Sequence, residues 1–488
     1  MSLASAEATV VDAVTTELFI GGEWRAAREG STLSVEDPAT GESLTEVADA
    51  GVDDARAALD AAVAAQDDWR HHAPRERGEI LRRAFEEIIE RIDDLALLMT
   101  LEMGKPVEDS KAEITYAAEF LRWFSEEAVR IDGRYAVGAA GQGRLLTMKQ
   151  PVGPCVMVTP WNFPMAMGTR KIGPAIAAGC TMVMKPAQQT PLSMLELAAI
   201  LERAGLPAGV LNVITSSSSG SVIGPLLEDP RVRKLTFTGS TEVGRSLMEQ
   251  ASQNLLKVSM ELGGNAPFLV FEDADVDDAV AGAMVAKMRN IGEACTAANR
   301  FHVADSVAAE FAEKLAEKMG AMKVARGTED GAQVGPLIDD GQRTTVSDLV
   351  EDATGRGAKV LVGGERIDGA GYFYRPTVLS DVPEDARLLK EEIFGPVAPV
   401  RGFGSEEEAI AAANDTEFGL VAYVYTSDIK RALRVCEELE TGMIGLNQGM
   451  VSNAAAPFGG VKHSGFGRGG GYEGIEEYLE TKYVAVNL

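Results

Sequence analysis

The chain has 488 residues, 74 acidic against 46 basic, for a net charge of −28. That length exceeds one hydrophobic core and implies two or three domains, and a hydrophobic content of 45% excludes a disordered chain. A surface this negative excludes nucleic acid and anionic membrane as partners, because phosphate would be repelled over most of it. The first ~15 residues read as a loose arm and lack the basic start and apolar centre of a signal peptide. "LFIGGEWR" is a hairpin turning at Gly21-Gly22. Residues 52–130 repeat apolar side chains at three and four and form helices. "GRYAVGAAGQGRLLTMKQPVG" breaks that period with glycines and is an extended excursion. From Val152 short apolar strands alternate with helices: "CVMVTP", "TMVMKP", "VLNVIT", "KLTFTG" and "KVSMELG" are the strands. Such alternation means βαβ units and a parallel sheet. A second alternating region runs from "PFLVF" to about residue 460 and is another α/β domain. The tail "GIEEYLETKYVAVNL" ends in an alternating stretch able to add a strand to a partner's sheet. The longest apolar stretch, "AIAAGCTMVM", is about half a membrane span.

Four cysteines (Cys155, Cys180, Cys295, Cys436) without a C-x-x-C pair form no disulfide framework and indicate a reducing, cytoplasmic setting. His71, His72, His302 and His463 lack ligand spacing, so no metal site is expected. The acids are scattered, as in "VEDATGRG" and "SEEEAIAAAND". They fit either an ordinary acidic cytosolic protein or a surface adapted to a salty cytoplasm, where screening weakens self-repulsion.

In "TPWNFPMAM", Pro160 and Pro164 fix the backbone around Trp161, Asn162 and Phe163. That rigidity suits an amide donor aimed at one point, or simply a stiffened loop with a packed tryptophan. "MKPAQQTP" puts Lys185 at the C-terminal end of a strand, where open α/β sheets bind ligands; a solvated lysine is the plainer reading. "FTGSTEVG" places Gly239, Ser240 and Thr241 at a helix start, which favours a pyrophosphate but is by itself an ordinary N-cap. "SMELGGNAP" ends a strand on Glu261; partial burial would raise its pKa and make it a candidate general base, unless it points to the surface. "MRNIGEACTAANR" puts Cys295 in a loop after a small-residue helix. A free cysteine is usually packing, and a thiolate needs an electropositive setting that Glu293 would oppose if it faced the sulfur. In "KEEIFGPV", Glu392 can accept ribose hydrogen bonds and Phe394 can wall a planar ring.

These segments in this order, with "PFGGVK-x-SG-x-GR", resemble the aldehyde dehydrogenase superfamily from about residue 19 to the C-terminus. The resemblance implies an α/β fold with a Rossmann-type cofactor domain (1–130 and 151–260), a second α/β catalytic domain (261–463) and a small β oligomerisation element (131–150 and 464–488). Carried over by position, Cys295 is the nucleophile, and the Asn162 amide and the Cys295 N–H form the oxyanion hole. Glu261 activates water. Thr159, Pro160, Trp161, Lys185, Gln188, Gly239, Ser240, Glu392 and Phe394 hold the cofactor. "TPWNFPMAMGTRKIGPA", "ELGGNAPF", "ANDTEFGL" and "VSNAAAPFGG" are most similar to the succinate-semialdehyde branch, whose carboxylate ligands fall on Arg170, Arg289 and Ser452.

The implied reaction is oxidation of a small aldehyde with a terminal carboxylate through a cysteine thiohemiacetal and thioester, with NADP or NAD. α-Ketoglutarate semialdehyde is the alternative substrate, and a catalytically idle structural or binding relative is the alternative of another class. Gln188 stands where NAD-preferring relatives often carry Glu, which favours NADP, while a serine run at 216–219 replaces a glycine-richer loop near the adenine. Glu293 replaces the usual Gln and is expected to alter the thiol's pKa. Ala297 stands where some relatives place a second, redox-active cysteine. A homodimer or homotetramer is implied.

Overall fold

The computed structural model describes residues 5–487. Two α/β layers meet end to end. In the first sheet the strands run Leu211–Val213, Met182–Lys185, Cys155–Val158, Lys234–Thr238, Lys257–Glu261 across its parallel centre. The antiparallel hairpin of Leu18–Ile20 and Glu23–Arg25 closes one edge and Gly465–Phe466 the other. Both hairpin glycines are left-handed (Gly21 φ 67°, Gly22 φ 81°), which explains the Gly-Gly pair. From Cys155–Val158 the chain adds two strands on one side, then returns to place Lys234–Thr238 on the other. That reversal opens a crevice beyond the carboxyl ends of these two strands, the position at which doubly wound sheets hold ligands. Thr159–Asn162 and Gly239–Ser240 are the residues that leave those strand ends.

The second sheet is parallel apart from one edge: Lys359–Val362 (antiparallel), Thr377–Ser380, Val397–Phe403, Ala298–Ala304, Ala266–Val270, Val421–Tyr425, Met443–Leu446. Ala266–Val270 starts five residues after Glu261 ends its strand in the first sheet. The carboxyl end of one sheet therefore faces the amino end of the other. Each sheet has its own core, one rich in Phe120, Phe124, Met157 and Ile176, the other built around Phe268, Phe301, Phe311 and Tyr423.

Two helices that border the crevice borrow their N-terminal caps. Pro164–Ala178 has no side-chain cap of its own, and Glu113 Oε1 accepts from Met165 N and Ala166 N, each at 3.1 Å. Leu192–Arg203 is capped likewise by Glu102, which accepts from Leu192 N at 2.7 Å and Ser193 N at 2.9 Å. A buried carboxylate on helix-start N–H groups satisfies donors that would otherwise be stranded.

One expectation needs correction. Ser5–Asp12 is a helix, not a loose arm: Val11 and Val14 are buried in the first core, and Glu7 pairs with Arg326 at 3.0 Å. Its two turns are too short for a readable period; the arm's first four residues lie outside the described ones. The C-terminal strand Leu479–Val486 pairs antiparallel on one side with Arg144–Pro151, which also pairs with Arg134–Val137, and it forms an edge of that three-stranded sheet. Among the described residues no helix is long and apolar enough to cross a membrane.

Candidate active site

Cys295 lies three residues before the strand Ala298–Ala304, at the amino end of the second sheet, and is partly accessible. The chain reaches it through three consecutive left-handed residues, Asn290 (φ 53°), Ile291 (φ 62°) and Gly292 (φ 80°). A β-branched residue there is strained, so something must hold it. Asn290 Nδ2 donates to Asn162 O at 3.0 Å and to Glu293 O at 2.8 Å, and Asn290 N donates to Asp109 Oδ2 at 3.2 Å. Gly292 is required, because a Cβ would stand 2.3 Å from Gly395 O. From the other side Asn162 Nδ2 donates to Glu293 O at 3.0 Å, which brings the candidate amide donor to the cysteine loop. Lys105 Nζ donates to Asn162 O at 2.8 Å and to Glu113 Oε2 at 2.5 Å, and both of these ionic side chains are 1% exposed. Removing either partner of such a buried pair costs about 3–5 kcal/mol.

Glu293 does not face the sulfur. It is fully buried; its Oε1 accepts from Ile338 N at 3.1 Å and its Oε2 has no partner. The charges that bear most on Cys295 are those of Arg170, Glu392, Glu261 and Arg289. Burial holds the Glu293 carboxyl well above the usual 4.5. A carboxyl whose folded value lies above its unfolded one costs stability once pH passes 4.5, increasingly until the folded value is reached. Glu293→Gln keeps the acceptor for Ile338 and removes that cost. Its melting temperature should exceed that of the parent at pH 8 and match it near pH 4.5, as read by scanning calorimetry.

Burial is the largest influence on Cys295, and its thiol is pushed up to about 12. Arg170 and Arg289 act in the opposite direction, while Glu392 and Glu261 add to the rise. Desolvation thus outweighs the two guanidinium groups.

Glu261 ends the strand Lys257–Glu261 and is buried as expected, but its pKa moves the other way. Burial would raise it; Arg170, Lys171 and Thr238 together outweigh burial and lower it. Glu261 Oε2 accepts from Arg170 Nη1 at 3.2 Å and from Thr238 Oγ1 at 2.9 Å, and Lys171 Nζ stands 4.0 Å away. Two glycines follow it. A Cβ on Gly264 would meet Cys295 O at 2.6 Å, and one on Gly263 would meet Glu392 Oε2 at 2.9 Å. The Gly263-Gly264 pair thus lets the cysteine loop and Glu392 close on the strand end that carries Glu261.

The remaining cofactor candidates line the crevice. Trp161 and Phe394 meet edge to face with centroids 5.3 Å apart, and Phe394 is itself left-handed (φ 51°). Glu392 Oε1 accepts from Gly264 N at 3.0 Å, and burial pushes its carboxyl up to about 7. Ser240 caps the helix Thr241–Ser252 by accepting from Val243 N, and Gly239 N is bonded to Glu261 O at 3.1 Å. Thr159 Oγ1 is buried and unpartnered. Lys185 Nζ donates to Ser219 Oγ at 2.5 Å, and burial pulls its ammonium down to about 8. The serine run is therefore no simple turn: Ser218 precedes, and Ser219 begins, the helix Ser219–Leu227. Pro160 follows Thr159 at the strand end, and Gln188 is exposed three residues beyond Lys185.

Arg289 Nη1 donates to Ser452 Oγ at 2.9 Å, across 163 residues of sequence. Its guanidinium lies 4.9 Å from the Phe163 ring and 5.7 Å from that of Tyr116. Arg170 Nη2 donates to Tyr116 Oη at 2.8 Å, and the guanidinium stacks on Phe458 at 3.8 Å. Arg170 is therefore engaged by Glu261 and Tyr116, while Arg289 and Ser452 form the more open pair. Tyr116, Lys105, Glu113, Asn290, Lys171 and Ser219 were not legible as site residues. Of these only Lys171, beside Arg170, Asn290, beside Arg289, and Ser219, in the serine run, sat next to residues already singled out. Among the described residues no cluster of three or more His, Cys, Asp or Glu could hold a metal.

The family model described as "Aldehyde dehydrogenase family" matches residues 24–484. A succinate-semialdehyde dehydrogenase of Paenarthrobacter nicotinovorans is 59% identical, covering 91% of this chain and 98% of its own. A glutarate-semialdehyde dehydrogenase of Pseudomonas putida is 52% identical over 97% of this chain and 98% of its own. A crystal structure of an Escherichia coli NADP-dependent enzyme superposes with a TM-score of 0.96 at 51% identity, covering 97% and 98% of the two chains.

Proposed function

The chain belongs to the aldehyde dehydrogenase family, and from that premise we propose that it oxidises succinate semialdehyde to succinate with NADP. The observation that carries this reading is the convergence of the Cys295 loop, the Asn162 amide and Glu261 on one strand end, beside the Arg289–Ser452 pair.

Arg289 and Ser452 bind the substrate's terminal carboxylate, a charge-assisted contact that orients the aldehyde toward Cys295. The sulfur attacks the carbonyl carbon. Its proton leaves to solvent as the bond forms. The Asn162 amide and the Cys295 N–H stabilise the resulting alkoxide. NADP, when bound, supplies the hydride acceptor that carries the thiohemiacetal to the thioester. Glu261, held ionised by Arg170 and Lys171, then deprotonates the water that releases the acid.

The crevice residues fit such a cofactor. Thr159 has a spare buried hydroxyl, the Ser240 helix start favours a pyrophosphate, and Glu392 and Phe394 flank a ribose and a planar ring. Lys185 and Ser219 together make a donor set for a 2′-phosphate, and the neutral Gln188 does not repel one. Lys185→Met should raise KM for NADP on the order of 10–100-fold, the worth of one charge-assisted bond, and raise KM for NAD less. Equal effects on both would remove the phosphate assignment.

Comparing kcat/KM for succinate semialdehyde, glutarate semialdehyde, α-ketoglutarate semialdehyde and butanal tests the substrate. Succinate semialdehyde should lead; butanal leading would end the reading. The Pseudomonas relative supports glutarate semialdehyde, one methylene longer and equally anionic, as the second candidate. Arg289→Ala should raise KM for semialdehydes on the order of 30-fold or more and leave butanal little changed, as loss of a charge-assisted bond implies. A cytoplasmic homodimer or homotetramer with a salt-tolerant acidic surface completes the proposal.

A further inference from the structure

Arg170 is the least free of the groups carried over as carboxylate ligands. It is 2% exposed, and its Nη1 is bonded to the carboxylate that is to serve as general base. Its Nη2 is bonded to Tyr116, and its plane is stacked on Phe458. Nε is buried without a partner. One guanidinium thus already serves one carboxylate and keeps a donor in reserve beside the anion-binding pair, for Tyr116 touches both Arg170 and Arg289.

Every charged group around Glu261 bears on its proton affinity. Arg170 and Lys171 come from the helix Pro164–Ala178, Thr238 from the neighbouring strand, and the Cys295 thiol from its loop. Arg468, Glu477 and Tyr478 lie on the far side, lining the same small cavity behind Glu261. Between them Gly469 stands against both Arg170 and Glu261, where a Cβ would be 2.6 Å from each. Neither Gly469 nor the following Gly470 brings a charged side chain to the carboxylate, and among the described residues Arg170 is the one guanidinium bonded to it.

We propose that Arg170 couples the substrate's carboxylate to the general base: the incoming carboxylate takes up the spare donors of Arg170 and offsets its hold on Glu261. This deepens the semialdehyde reading and rests on it. Two carboxylates sharing one guanidinium each feel the other's charge, so the proton affinity of Glu261 rises when the second arrives. The carboxylate stays in place through acylation, because the acyl group retains it. Glu261 is therefore a stronger base while it takes the proton from the water that attacks the succinyl thioester. A neutral aldehyde of the same length acylates Cys295 but leaves Glu261 under the full charge of Arg170, and its thioester is released more slowly.

The test is thioester hydrolysis in a single turnover, with holoenzyme and NADP in excess over succinate semialdehyde or butanal, quenched and read by intact-protein mass spectrometry across pH. The acidic limb for the succinyl enzyme should lie at least about one pH unit above that for the butyryl enzyme, with a plateau on the order of tenfold faster. In Arg170→Gln the butyryl limb should move up to the succinyl position and the gap should close. Coincident limbs and plateaus in the parent would overturn the proposal, as would a gap that persists in Arg170→Gln. Should that variant fail to fold, acetate supplied with propanal to the parent enzyme replaces it. Several-fold faster propionyl release supports the coupling, and no acceleration at saturating acetate overturns it. Failure of succinate semialdehyde to acylate the enzyme would instead sink the semialdehyde reading, so the two failures are distinguishable.

Discussion

Cys295→Ala is expected to lower aldehyde oxidation on the order of 10⁴–10⁶-fold while leaving cofactor affinity unchanged. The sulfur forms and breaks every covalent bond to the acyl group, and no other cysteine is placed to replace it: Cys155 and Cys180 are buried in the first core, and Cys436 lies on the helix Ile429–Glu438. The loop does not depend on the sulfur for its shape. Asn290, Asn162 and Glu293 fix it through amide and main-chain bonds that alanine leaves in place. The cofactor candidates stand on other segments. Stopped-flow absorbance at 340 nm measures the first expectation and fluorescence titration with NADPH the second. Substantial residual turnover would refute the nucleophile assignment.

Glu261→Gln should separate the two halves of the reaction. Acylation should yield one rapid equivalent of NADPH, after which steady turnover should fall on the order of 10²–10⁴-fold, the usual worth of a general base. The substitution keeps an acceptor for Thr238 and Arg170 but removes the negative charge, so the sulfur loses one of the two carboxylates that raise its pKa. The pH limb that belongs to Glu261 should vanish with it. An unchanged steady rate would remove Glu261 from water activation, and loss of the burst would place it in acylation instead.

What could be read from the sequence was contiguous. The strand–helix alternation from Val152, the Gly-Gly turn at 21–22 and the segments around Asn162, Lys185, Ser240, Glu261 and Cys295 each sit within about a dozen residues, where propensity and periodicity act. What could not be read depends on distant pairings. Glu261 was expected to be raised by burial, yet Arg170, 91 residues away, together with Lys171 and Thr238 reverses the sign. Glu113 caps a helix 52 residues further on, and Arg289 meets Ser452 across 163. No local pattern announces such contacts. Glu293 gives the same lesson: two residues from the nucleophile in sequence, it turns away from the sulfur and bonds Ile338 N. The left-handed run at Asn290–Gly292 was foreshadowed only by its glycine, since Ile291 is a residue that local preference would keep out of that region.

The most direct measurement is the mass of the Glu261→Gln protein after it is mixed with NADP and succinate semialdehyde, followed by peptide mapping. One succinyl group per chain, located on Cys295 and absent when NADP is withheld, is the expected result. No adduct, or an adduct on any other residue, would contradict the assignment of Cys295 as the nucleophile of a semialdehyde dehydrogenase.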